Sequence, residues 1–212
     1  MSQLIEAENP VTPLPVVANV SRIVTKAVDR LTGDRSEVPL LVALATSYAL
    51  NRFSIKAKII YGKTAYLERL ENDSLQWAGC WGESFSFWVV SQYGELIDLN
   101  ASVSFKKRDP LNSIKSIQSP PLLWCAKVPT LYRYQAEGDA IVDELGQKDF
   151  DLWTKIKLEL DEKCTPTKLT ESEEFPNEPI FGPNQKCLDD SKNSFKDYDR
   201  VVAVFGIPEV PF

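Results

Sequence analysis

Val38-Pro39-Leu40-Leu41-Val42-Ala43-Leu44-Ala45-Thr46-Ser47-Tyr48-Ala49-Leu50 decides how this chain folds. The stretch carries no charge and is apolar nearly all round. A helix of that kind must be enclosed by other elements. It is also far shorter than the roughly 20 apolar residues that span a bilayer. The segment is therefore expected to be the buried central helix of a globular domain. Its start is set by Pro39. Asp34-Arg35-Ser36-Glu37 has the form of a capping box, but a helix begun at Asp34 would place Pro39 where a backbone donor is needed. A cap at Ser36, or at Val38 with Pro39 first, removes the conflict. The helix is expected from 37–39 to about Phe53.

Upstream, Val20, Ile23, Val24, Ala27, Val28 and Leu31 recur at three and four, which marks an amphipathic helix over 16–31 with Gly33 as its stop. Three prolines between Asn9 and Pro15 predict an extended arm. Downstream, Ser54 to Tyr61 alternates as a strand ending at Gly62. Thr64 to Leu70 is open between strand and loop. Leu75 to Trp81 reads as a short strand. Phe85 to Gln92 and Glu95 to Leu99 form a hairpin across Tyr93-Gly94. Leu122 to Tyr134 reads as a strand interrupted at Pro129. Asp149 to Lys163 is a helix on the spacing of Phe150, Trp153, Ile156 and Leu160. The stretch 165–185, with its prolines and glutamates, reads as a long, mobile acidic loop. Val201 to Ile207 reads as a closing strand. The expected fold class is α+β, a buried central helix on an antiparallel sheet with an elaborated C-terminal half. The expected organisation is a single domain over 1–212: an arm (1–15), a core (16–135) and an acidic elaboration (136–212).

Composition excludes several chemistries. The 212 residues include no histidine and four cysteines, Cys80, Cys125, Cys164 and Cys187. No cysteine pair has the spacing of a zinc site, so no metal and no cofactor are expected. Met1 to Glu8 lacks a basic n-region and does not read as a secretory signal. The expected location is the cytoplasm, with reduced thiols. Net charge is −6, distributed unevenly: residues 1–136 hold 15 bases and 12 acids, and residues 137–212 hold 9 and 18. Lys106-Lys107-Arg108 is the one dense basic run and reads as a solvated loop, and Glu171–Glu174 as a solvated acidic one. A nucleic-acid partner is not expected, nor a membrane. Another protein is the expected partner.

Ile55-Lys56-Ala57-Lys58-Ile59-Ile60-Tyr61-Gly62, Phe85-Ser86-Phe87-Trp88-Val89 and Leu96-Ile97-Asp98-Leu99-Asn100 follow the buried helix in order. The arrangement over 36–100 resembles the transglutaminase-like branch of the papain-like fold. In that family a Cys opens the core helix, a strand supplies His and the next supplies Asp. The resemblance places the nucleophile position near Pro39, the imidazole position at Ser86 and the carboxylate at Asp98. Two of the three roles are empty, so it implies a catalytically silent relative. Trp81, Glu83, Trp88 and Asn100 are the candidate lining of a residual cleft.

A second reading keeps enzymatic chemistry without imidazole. Cys80 is bracketed by Gly79 and Gly82 and could act as a nucleophile in a hydrolase or acyl transferase. A Glu83/Asp98 carboxylate pair could serve instead. Nearby carboxylates would raise the Cys80 thiol's pKa, which argues for a structural cysteine. The sequence therefore favours a non-catalytic binding or interaction protein.

Overall fold

A computed structural model describes residues 11–82, 85–103, 120–143, 145–166, 175–182, 184–194 and 198–212. Helix α1 (Leu14–Thr32) begins two residues before the expected start, with Pro15 in its first turn, and ends at Gly33 in the left-handed conformation. The Asp34 side chain accepts from Ser36 N at 2.9 Å and opens a short 3-10 turn, Arg35–Glu37. Val38 then precedes α2 (Pro39–Arg52), whose first residue is the proline. The box-like sequence thus serves a separate turn and leaves Pro39 at the first helical position, where a missing N–H costs nothing.

The strands are β1 (Ala57–Arg69), β2 (Leu75–Cys80), β3 (Ser86–Ser91), β4 (Leu96–Asp98), β5 (Leu122–Cys125), β6 (Tyr132–Asp139) and β7 (Ile180–Phe181). Between β6 and β7 lies α3 (Gln147–Lys163). The chain ends with α4 (Gln185–Ser194) and α5 (Tyr198–Phe205). The seven strands form one sheet, β2-β1-β3-β4-β5-β7, with β6 on the other edge of β1. All pairings are antiparallel except β5 with β7. The molecule is α+β, with helices packed on a curled mixed sheet.

Two layers of core follow from strand alternation. Ile59, Val89, Ile97, Leu99, Leu122 and Trp124 face the helices and join Val20, Val24, Leu41, Ala45 and Leu50. Helix α3 adds Ile156 and Leu160 to the same cluster. It is tied down at its far end, where the buried Glu159 bonds Arg30 of α1 and Lys163, and where Tyr48 of α2 donates to Asp161 at 2.6 Å. The opposite face of the sheet holds a smaller cluster: Tyr66, Ala78, Ala101, Leu123 and Tyr132.

Several expectations change. The first strand does not end at Gly62; it continues to Arg69 and pairs with β2, β3 and β6. Gly62 is there because nothing larger fits: a Cβ would lie 2.1 Å from the Gln135 carbonyl and 3.0 Å from the Trp88 ring. The stretch 122–134 is two strands, not one, and they lie at different places in the sheet. The stretch 165–185 is not loop throughout, since β7 is added to β5. The expected closing strand at 201–207 is instead α5, which packs beside β2 with Val201 buried and Val204 exposed. A run of β-branched residues favours a strand only where a sheet edge is available to pair with it. Helix α4 was not foreseen. The division at 135/136 falls inside β6, and α3 belongs to the main core. Among the described residues no helix is long and apolar enough to cross a membrane.

Candidate functional site

Trp88, Asp98 and Tyr134 meet on the inner face of the curled sheet. Alternation sets Val89 and Ile97 toward the helices and therefore Trp88 and Asp98 away from them. Tyr134 of β6 donates to Asp98 Oδ2 at 2.7 Å and stacks edge-on against Trp88, with ring centroids 5.1 Å apart. In a flat sheet the strand spacings from β6 to β4 would hold these residues about 14 Å apart. The bond exists because the sheet curls. Asp98 Oδ1 accepts from Asn100 N at 2.8 Å, closing a tight turn after β4. Asp98 is 3% exposed. Burial pushes its carboxyl above the ordinary value, against the opposing pull of Tyr134, the Asn100 and Ala101 amides, and Arg35. Burial also drives the Tyr134 hydroxyl well above its usual range, with Asp98 adding to the shift.

The positions singled out from sequence separate into groups. Ser86, Trp88, Asp98 and Asn100 are all buried along neighbouring strands. Pro39 opens α2 in the helical layer, across the sheet from Ser86 and Asp98. Arg35, just ahead of that helix, is the residue that reaches toward the end of β4. Trp81 packs against Phe212, ring centroids 6.4 Å apart, and shares no groove with the enclosed Trp88. Cys80 is half-buried and pairs in register with Thr64. Its neighbour Gly79 has φ +150°, and a Cβ there would strike the Thr64 carbonyl at 2.1 Å. The tight approach suspected at this cysteine is thus a strand contact at Gly79. Glu83, Lys106–Arg108 and Glu171–Glu174 lie outside the described residues. The other thiols are poor nucleophiles: burial drives Cys125 up to about 12 and Cys164 up to about 11, and raises Cys187.

Sequence reasoning missed Arg35. Arg35 is 2% exposed, and all three nitrogens of its guanidinium are hydrogen-bonded. Nε donates to the Leu99 carbonyl at 2.9 Å, Nη2 to Ser102 Oγ at 2.7 Å, and the two arms pair with Asp29 and Glu178. A buried guanidinium is tolerable only when its donors are met in this way. The cluster joins the end of α1, the end of β4 and the segment that carries Glu178.

That segment, 175–180, forms one wall of an open cleft of about 900 Å³. Helix α1 contributes Arg22 and Lys26, and α4 contributes Lys186, Cys187 and Asp190. Phe175, half-buried, supplies apolar surface, with the core residue Ile180 behind it. The α4 helix is positioned by Asn184, whose side chain accepts from Cys187 N at 2.8 Å as an N-cap. Arg22 and Lys26 are four apart on α1, which was visible in the sequence. Their significance was not, because α4 was not anticipated. Among the described residues no cluster has the composition of a metal site.

No family model and no curated protein matches this sequence. The chain is similar to one solved structure, the crystal structure of genomics APC5867, at 15% identity and a TM-score of 0.44. The match covers 75% of this chain and 82% of that one. A likeness this distant carries no argument about function.

Proposed function

We propose that this is a non-catalytic binding protein whose ligand site is the cleft between α1, residues 175–180 and α4. One observation carries the reading: the polar groups near Asp98 are enclosed and bonded to one another, whereas Lys26 and Lys186 of the cleft are exposed and, among the described residues, make no hydrogen bond or ion pair. A carboxylate held by a phenol and backbone amides is structural in character. The cleft has the size of a small-molecule site. It favours a small ligand over the protein partner suggested by the sequence. The order of core helix, strand and hairpin supports a transglutaminase-like scaffold. The facing of Ser86 and Asp98 away from α2 weighs against a relic of that family's triad. Four cysteines outside any disulfide fit the reducing cytoplasm.

The test is chemical-shift mapping of the labelled protein with a fragment set of mixed charge. Binding fragments should shift amides in 175–180 and α4. Shifts confined to the surroundings of Cys80 or Asp98 would overturn the assignment. Cys80 should react with a thiol reagent no faster than free cysteine. Faster, selective labelling would favour the enzymatic alternative at Cys80.

A further inference from the structure

We propose that the cleft takes a small organic oxyanion, a carboxylate or a phosphate ester, held by Arg22, Lys26 and Lys186. The inference rests on the reading of the cleft as a ligand site and names the chemistry of its occupant.

Each of the three cations is placed unfavourably without an anion. Arg22 and Lys26 are one turn apart on the same face of α1, and like charges at that spacing repel. Lys186 is the second residue of α4, where the helix dipole favours negative charge. Among the described residues, neither lysine makes a hydrogen bond or salt bridge. Arg22 makes one weak bond, Nη2 to Asn19 Oδ1 at 3.2 Å, and its Nε is buried with no partner. The contrast is with Arg35, whose guanidinium engages four groups.

The carboxylates of the cleft do not cancel this charge. Glu178 is already bonded to Arg35 and Ser102. Asp190 is a single further carboxylate beside three cations. The local balance is positive in a chain whose net charge is −6. An oxyanion set between α1 and the start of α4 would relieve both unfavourable placements at once. Phe175, half-buried in the cleft wall, would then meet the body of the ligand, which argues for an organic anion over a bare inorganic one.

The experiment titrates the full chain with citrate and with glycerol 3-phosphate, and with glycerol and ethanolamine as neutral and cationic controls. At least one oxyanion should bind and shift amides of 175–180 and α4. Which one binds separates the carboxylate from the phosphate. The double variant Lys26→Glu/Lys186→Glu replaces two exposed side chains and should keep the wild-type circular dichroism. It should weaken oxyanion binding by about tenfold or more, and added salt should weaken the wild-type complex. Oxyanion binding unchanged in the double variant overturns the proposal. So does binding of glycerol or ethanolamine in the cleft with no response to either anion, an outcome that leaves the cleft standing as a ligand site. Silence of the cleft toward these probes and toward the mixed fragment set overturns both.

Discussion

Arg35 and Ser36 are adjacent and both buried, yet their polar atoms fare differently. The Arg35 guanidinium is bonded on every side, while Ser36 Oγ is buried without a partner. An unmet buried hydroxyl carries a desolvation cost with no return. Ser36→Ala should therefore be neutral or stabilising by up to about 1 kcal/mol, read from urea unfolding. A loss of stability would show that the hydroxyl has a partner after all. The sequence drew attention to Ser36 as a possible cap and passed over Arg35. Nothing local marks an arginine as buried; its partners Leu99, Ser102 and Glu178 are distant in sequence and are brought together only by the fold. Asp98 was legible through the family resemblance, which placed a carboxylate there. Its partner Tyr134 was not, since β6 reaches it only through the curl of the sheet.

At the scale of elements, β1 and α3 are the informative ones. Gly62 looked like a strand terminator, and in isolation a glycine after an alternating run often is one. Here it is a mid-strand position where β6 and Trp88 approach too closely for a side chain. Gly62→Ala should cost about 1–3 kcal/mol by overpacking, measured by denaturant unfolding, with a shifted tryptophan emission. A stability equal to wild type would contradict the close approach. Helix α3 was legible from its spacing of three and four, but its destination was not. Leu160 is fully buried in the core that α3 shares with α1 and α2, and Leu158 is 66% exposed. Leu160→Ala should cost about 2–5 kcal/mol in thermal or urea unfolding, and Leu158→Ala within about 0.5 kcal/mol. Equal effects would remove α3 from the core. Periodicity found the helices because each buries one continuous stripe. It misread 201–207 because a five-residue apolar run fits a helix turn or a strand equally well.

For the whole molecule, the bond between Asp98 and Tyr134 joins strands that a flat sheet would keep apart, and so fastens the curl. The bond lowers the carboxyl's pKa relative to what burial alone would impose. Removing it disfavours the ionised form more than the protonated one. Tyr134→Phe should therefore destabilise by about 1–3 kcal/mol, more at pH 8 than at pH 4. The sign of wild-type linkage follows from the raised pKa: Asp98 stabilises the fold most when protonated, and that contribution is lost as pH rises from the ordinary aspartate value through the folded one. Unfolding curves of both proteins at the two pH values test this, and a cost that grows toward acid would contradict it.

The parallel pair of β5 and β7 bears on how the protein is made. Leu122-Leu123-Trp124-Cys125 is buried along its whole length, and its outer edge is met only when Ile180 and Phe181 arrive. Between the two strands the ribosome must add β6 and all of α3. A nascent or stalled chain that stops short of Ile180 presents an apolar four-residue edge with its backbone groups unmet, a template for another chain to add to. The last third of the polypeptide thus protects the middle third, and synthesis itself has an interval in which that edge stands uncovered.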